Sequence, residues 1–205
     1  MQPDRLPKVL QFLVVLLSVG ATSVYATVTV PGAMENAWGI VLVAYLGGVV
    51  MPFVLRTLLN RVLESVGSAD HVPVVMAVVG IFIPFILIPF MLSTTARGIA
   101  KTAEHAGVQG LDGARHRIGT LAVLYGASTF ILPTIAAGTA GALLPFEFGW
   151  AIGTVMSGLC TAMILAVTTQ LIFQFAETVV VETQGRAPVS LGGTGGESPV
   201  GVRSI

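Results

Sequence analysis

The chain has 205 residues, 54% of them hydrophobic and 10% charged, whereas an average soluble domain carries roughly 25% charged residues. With a mean hydropathy of +0.89 and 24 glycines, this points away from a soluble single-core fold and toward an all-α integral membrane protein. Ten Lys and Arg balance ten Asp and Glu, so no whole-protein field of either sign exists to recruit nucleic acid or an acidic substrate.

Five apolar runs have the length that crosses a bilayer, which predicts a bundle of about five transmembrane helices. The first, residues 9–30, follows Arg5 and Lys8 and contains Val24-Tyr25-Ala26, a small-residue pattern of the kind cleaved after signal peptides. It is read here as a retained helix ended by Pro31-Gly32. The second, 37–55, opens with Trp38, an interfacial anchor type, and closes at Arg56. Beyond it Leu55, Leu58, Leu59, Val62, Leu63 and Val66 recur at helical spacing, which predicts an amphipathic extension lying on the membrane surface. The third run, 72–92, has no charge and would be about 31 Å long as one helix, yet it carries Pro84 and Pro89 in its interior. The fourth, 118–143, and the fifth, 150–175, are joined by the short turn Leu144-Pro145-Phe146-Glu147-Phe148. The Gly-, Ser- and Pro-rich stretch 183–205 is predicted to be a disordered tail, because it cannot bury enough apolar surface to offset its ordering entropy.

The basic residues sort by segment. Arg5 and Lys8 precede the first run, Arg56 and Arg61 follow the second, Arg97, Lys101, Arg115 and Arg117 precede the fourth, and Arg186 and Arg203 follow the fifth. If the third run crosses, these residues divide between the two faces. If it is re-entrant and broken by its prolines, all ten Lys and Arg fall on one face, which the positive-inside rule makes cytoplasmic. The alternative to five spans is therefore four spans plus a proline-broken re-entrant segment, tolerated only where protein or a water-filled cavity surrounds its unpaired backbone groups. The expected location is a multi-pass membrane protein with a cytoplasmic N-terminus. The turns around Glu35 and Trp38 and around Glu147 and Trp150 resemble each other, as two copies of one hairpin or as two independent hairpins.

No ionisable residue sits in the middle of any run, Glu177 near the end of the fifth being the closest, which argues against an ion-coupled pump or a haem held by axial ligands. His71, His105 and His116 fall in polar loops and the single Cys160 in an apolar run, so no metal-ligand spacing is present and no cofactor is expected. With no phosphate-binding loop, nucleophile elbow or His-Glu-x-x-His helix, no catalytic residue is predicted.

Three residue sets stand out. Gly149, Gly153, Ser157 and Thr161 recur at four-residue steps, and Ala122 and Gly126 of the fourth run offer the same kind of small surface, which predicts close helix packing within the chain or against another subunit. Thr168, Gln170, Gln174 and Glu177 form a polar stripe that reads as a helix end emerging among headgroups or as a polar path. Arg97, Lys101, Arg115 and Arg117 make a basic collar suited to anionic headgroups. The leading expectation is a non-catalytic structural or accessory subunit of a larger membrane assembly, its partners being the lipid bilayer and other membrane subunits or further copies of itself. The alternatives are a passive channel or uncoupled transporter using Thr161, Thr168, Gln170 and Gln174, and a lipid-modifying enzyme centred on the loop from Arg97 to Arg117.

Overall fold

Six α-helices and no strands make up the residues described by a computed structural model, which are 6–29, 38–108, 110–143 and 146–186. They are α1 (Leu6–Thr29), α2 (Trp38–Ser65), α3 (Val74–Gly80), α4 (Pro84–His105), α5 (Asp112–Leu143) and α6 (Phe146–Arg186). Helix α6 has 41 residues and is therefore about 61 Å long. Because it continues to Arg186, the boundary expected at residue 183 falls inside a helix; the remainder of the predicted tail lies outside the described residues. So does most of the first of the two similar turns.

A few ties fix how the helices stack. Gln11 of α1 donates to the Thr169 hydroxyl of α6 over 3.1 Å, while Val19, further along α1, meets Gly158, earlier in α6. The two helices are thus antiparallel. Ser18 and Tyr125 bring α1 and α5 together, their hydroxyl oxygens 3.5 Å apart and both residues buried. Met51, Leu55 and Leu59 of α2, Ile88, Met91 and Ile99 of α4, Ile118 and Tyr125 of α5 and Leu165 and Ile172 of α6 form one continuous apolar core.

The third apolar run is not a single helix. Helix α3 has seven residues, a turn occupies 81–83, and α4 starts with Pro84 in its first turn, where a missing N–H costs nothing. Within α4, Pro89 removes a second helical donor, the one that would have served the Phe85 carbonyl. The chain also reverses at this turn. Val72 lies beside Asn60 of α2 and Gly80 beside Pro52, so α3 runs back along α2; α4 then returns until Gly98 meets Leu63 and Asp70. The segment from Val72 to His105 therefore enters and leaves the bundle at the same end, with the turn near mid-height, where Phe85 and Pro89 rest on Gly126 of α5. One helix traversing the bundle over 72–92, as length alone predicts, is replaced by a hairpin. The two prolines supply the physical reason.

The extension of α2 is a second correction. The helix runs unbroken to Ser65, and Leu55, Leu58, Leu59, Val62 and Leu63 are at most 3% exposed. The stripe expected to lie on a membrane surface is covered by protein, because α4 returns alongside it.

The outer surface is strongly apolar. Phe12 and Leu16 of α1, Phe53 of α2, Val75 and Phe82 of the hairpin, Val123 of α5 and Met163 of α6 are all exposed, a surface that water-soluble monomers avoid. Among the described residues, one helical stretch is long and apolar enough to cross a bilayer by length and composition, Met156–Thr183 in α6, with a mean hydropathy of 1.7. A shorter apolar stretch, Pro7–Val19, lies in α1.

Candidate functional site

The feature that separates this molecule from a plain bundle is the hairpin, and two contacts hold it. At its entry, the Asn60 side chain grips the backbone of Val72 from both sides, its Oδ1 accepting from the Val72 N–H at 2.7 Å and its Nδ2 donating to the Val72 carbonyl at 3.3 Å. Arg56 Nε donates to the same carbonyl at 2.9 Å. Both groups lie one turn apart on the inner face of α2, so a single helix face meets the donor and the acceptor needs of an irregular segment. At its tip, Gly126 leaves room for the α4 backbone. A Cβ there would collide with the Phe85 carbonyl oxygen and sit 2.8 Å from Cγ of Pro89. Sequence pattern marks neither Asn60 nor Val72 as a contact: periodicity sets Asn60 on a polar face of α2 and Val72 at the start of an apolar run.

Charge collects at one end. Lys8 begins α1, Arg56 and Arg61 end α2, Arg97 and Lys101 end α4, Arg115 and Arg117 begin α5, and Arg186 ends α6. With the helices oriented as above, all eight lie toward the end at which the hairpin enters. Two ion pairs are formed there among the described residues, Arg61–Glu64 and Lys101–Asp70, each at 3.4 Å and each well exposed, so their contribution to stability is small. Arg97 stacks over Phe90 at 5.8 Å, and Arg115 and Arg117 are exposed. The His105 ring N–H at Nδ1 donates to the Lys101 carbonyl at 2.7 Å, closing the last turn of α4.

The polar residues of α6 separate into two groups. Thr168 and Thr169 are buried and return their hydroxyl protons to their own helix, at the carbonyls of Ile164 and Leu165. Gln170, Gln174 and Glu177 lie on the outer face, exposed. Thr168 and these three residues therefore lie on different faces of α6. Of the small-residue row, Ser157 and Thr161 are buried, the latter bonded to the carbonyls of Ser157 and Gly158; the surroundings of Gly149 and Gly153 lie outside the described residues. Ala122 is buried, and Gly126 faces α4 rather than α6.

One buried polar atom stands alone among the described residues, Oγ1 of Thr94 in α4. Replacing Thr94 with Val keeps the shape and removes an unsatisfied hydroxyl, so a stabilisation of up to about 1 kcal/mol is expected in equilibrium unfolding. A loss of stability instead would mean that the hydroxyl has a partner. No group of three or more His, Cys, Asp or Glu that could hold a metal ion occurs among the described residues.

Comparison with protein-family models, curated proteins and solved structures finds no match.

Proposed function

We propose that this chain is a multi-pass membrane protein in which α1, α2, α5 and α6 cross the bilayer, the α3–α4 hairpin is re-entrant, and both termini are cytoplasmic. It acts as a non-catalytic accessory or structural subunit of a larger membrane assembly. The observation that carries this reading is the exposed hairpin turn. Phe82 is 76% exposed at the break, and Val74, Val75 and Val78 present a bare outer face on α3. The N–H groups of Ile81, Phe82 and Ile83 are paired inside the chain, with the Val78 and Val79 carbonyls, so it is the carbonyl side of this irregular segment, to which lipid offers no donor, that is expected to be covered by another protein. The gathering of basic residues at the hairpin's entry end supports the orientation, since Lys and Arg stay cytoplasmic.

Two measurements test it. In a Cys160→Ser background, single cysteines at Ala69, Ala106 and Leu143 are treated with an impermeant maleimide in sealed right-side-out membranes. Leu143→Cys is expected to label directly, and the other two only after permeabilisation. Opposite labelling of Ala69→Cys and Ala106→Cys would mean that the third run crosses. Separately, the chain extracted in mild detergent is expected to travel with other polypeptides or with copies of itself. A lone monomer of 21.2 kDa would remove the subunit reading.

A further inference from the structure

Helices α5 and α6 enclose a groove of about 200 Å³ at the charged end of the bundle. Its floor is apolar, made by the buried Ile118 and Phe175 with Leu171, and its rim is polar, made by Arg117, Gln174 and Thr178. The groove also sits at a defined level. On the outer face of α6 the exposed residues change from Met163 and Val167 to Gln170 and Gln174, and on α5 they change from Val123 and Leu124 to Arg117 and Thr120. Both helices thus pass from apolar to polar surface where the groove lies, which is the depth of lipid phosphates in the orientation given above.

We infer that this groove binds one anionic phospholipid, with Arg117 holding its phosphodiester and the first carbons of an acyl chain lying over Ile118, Leu171 and Phe175. Arg117 joins neither of the two ion pairs among the described residues, so its guanidinium keeps its donors for a ligand. The Gln174 amide is the second donor. Thr178 is not a third, because its hydroxyl proton goes to the Gln174 carbonyl at 2.8 Å. A guanidinium suits a phosphate through paired, charge-assisted hydrogen bonds, and the apolar floor gives a chain-bearing ligand an advantage over a free anion. The inference rests on the membrane reading, yet the two fail separately: a protein embedded as proposed that does not discriminate between lipids overturns the lipid site alone.

The test is retention of phosphatidylglycerol by the full chain in neutral detergent, read by native mass spectrometry against phosphatidylcholine. One retained phosphatidylglycerol is expected, weakened about tenfold by Arg117→Gln, a loss typical of removing one charge-assisted contact. Arg61→Gln, an equal change of charge on α2, outside both the groove and the basic collar, is expected to leave retention unchanged. Leu171→Asn, which keeps every charge, is expected to weaken retention as well, and it decides the matter should Arg117→Gln not fold. Equal weakening by Arg117→Gln and Arg61→Gln, or by neither, overturns the site. So does displacement by chain-free glycerophosphoglycerol or inorganic phosphate at the concentrations where intact lipid binds, because the groove would then be an anion site with no use for its floor.

Discussion

Gly126→Ala is expected to destabilise the protein by about 3 kcal/mol, the upper end of the range for forcing a methyl group into a filled space. Side chains can rotate away from such an intrusion, but here the new Cβ meets the Phe85 carbonyl, a backbone group on a helix start, as well as the Pro89 ring. Relief requires the whole hairpin to move off α5. Gly119→Ala, seven residues earlier in the same helix with nothing within reach of its Cβ, serves as the control. It is expected to stabilise by about 0.5–1 kcal/mol, the ordinary helical preference for Ala over Gly. Equilibrium unfolding in mixed micelles compares the two. Equal behaviour of both variants would mean that the hairpin tip does not rest on Gly126.

Asn60→Leu is expected to cost about 2 kcal/mol, because the Val72 N–H loses its only described acceptor while Val72 itself remains buried. The carbonyl of Val72 fares better, since Arg56 still reaches it. Asn60→Asp keeps an acceptor for the N–H and gives up only the weaker 3.3 Å contact, so it is expected to recover at least half of the loss. The same unfolding measurement reads both. An Asp variant as unstable as the Leu variant would show that the amide is held for some reason other than its grip on Val72.

The parts of this fold that were legible from sequence are those decided locally. Residues 9–30, 118–143 and 150–175 each lie largely within a helix because hydropathy and helix formation agree there. The continuation of α2 beyond Leu55 is read from the spacing of Leu58, Leu59, Val62 and Leu63, but its cover by α4 is not; the start of α5 at Asp112 lies ahead of the expected Ile118 because polar residues precede the apolar run. Pro84 and Pro89 announced a break, but its direction depends on Asn60 meeting Val72 and Gly126 meeting Phe85, pairs far apart in sequence or invisible to periodicity. The polar stripe is legible in part, since Gln170, Gln174 and Glu177 share one exposed face as their spacing predicts. Thr168 and Gln170 are two positions apart, hence on different faces of the helix, and only the structure separates the hydroxyl that turns inward from the amides that face out.

The contact between Phe85 and Gly126 also has an order in time. The residue that receives the hairpin is synthesised about forty positions after the hairpin itself, and at roughly 5–20 residues per second that interval is on the order of seconds. For that period the run from Val72 to Leu92 has α2 to lie against, where Asn60 holds Val72 and Pro52 meets Gly80, but nothing to receive its tip. The seating of that tip belongs to the finished chain and is reached only when α5 emerges beside it.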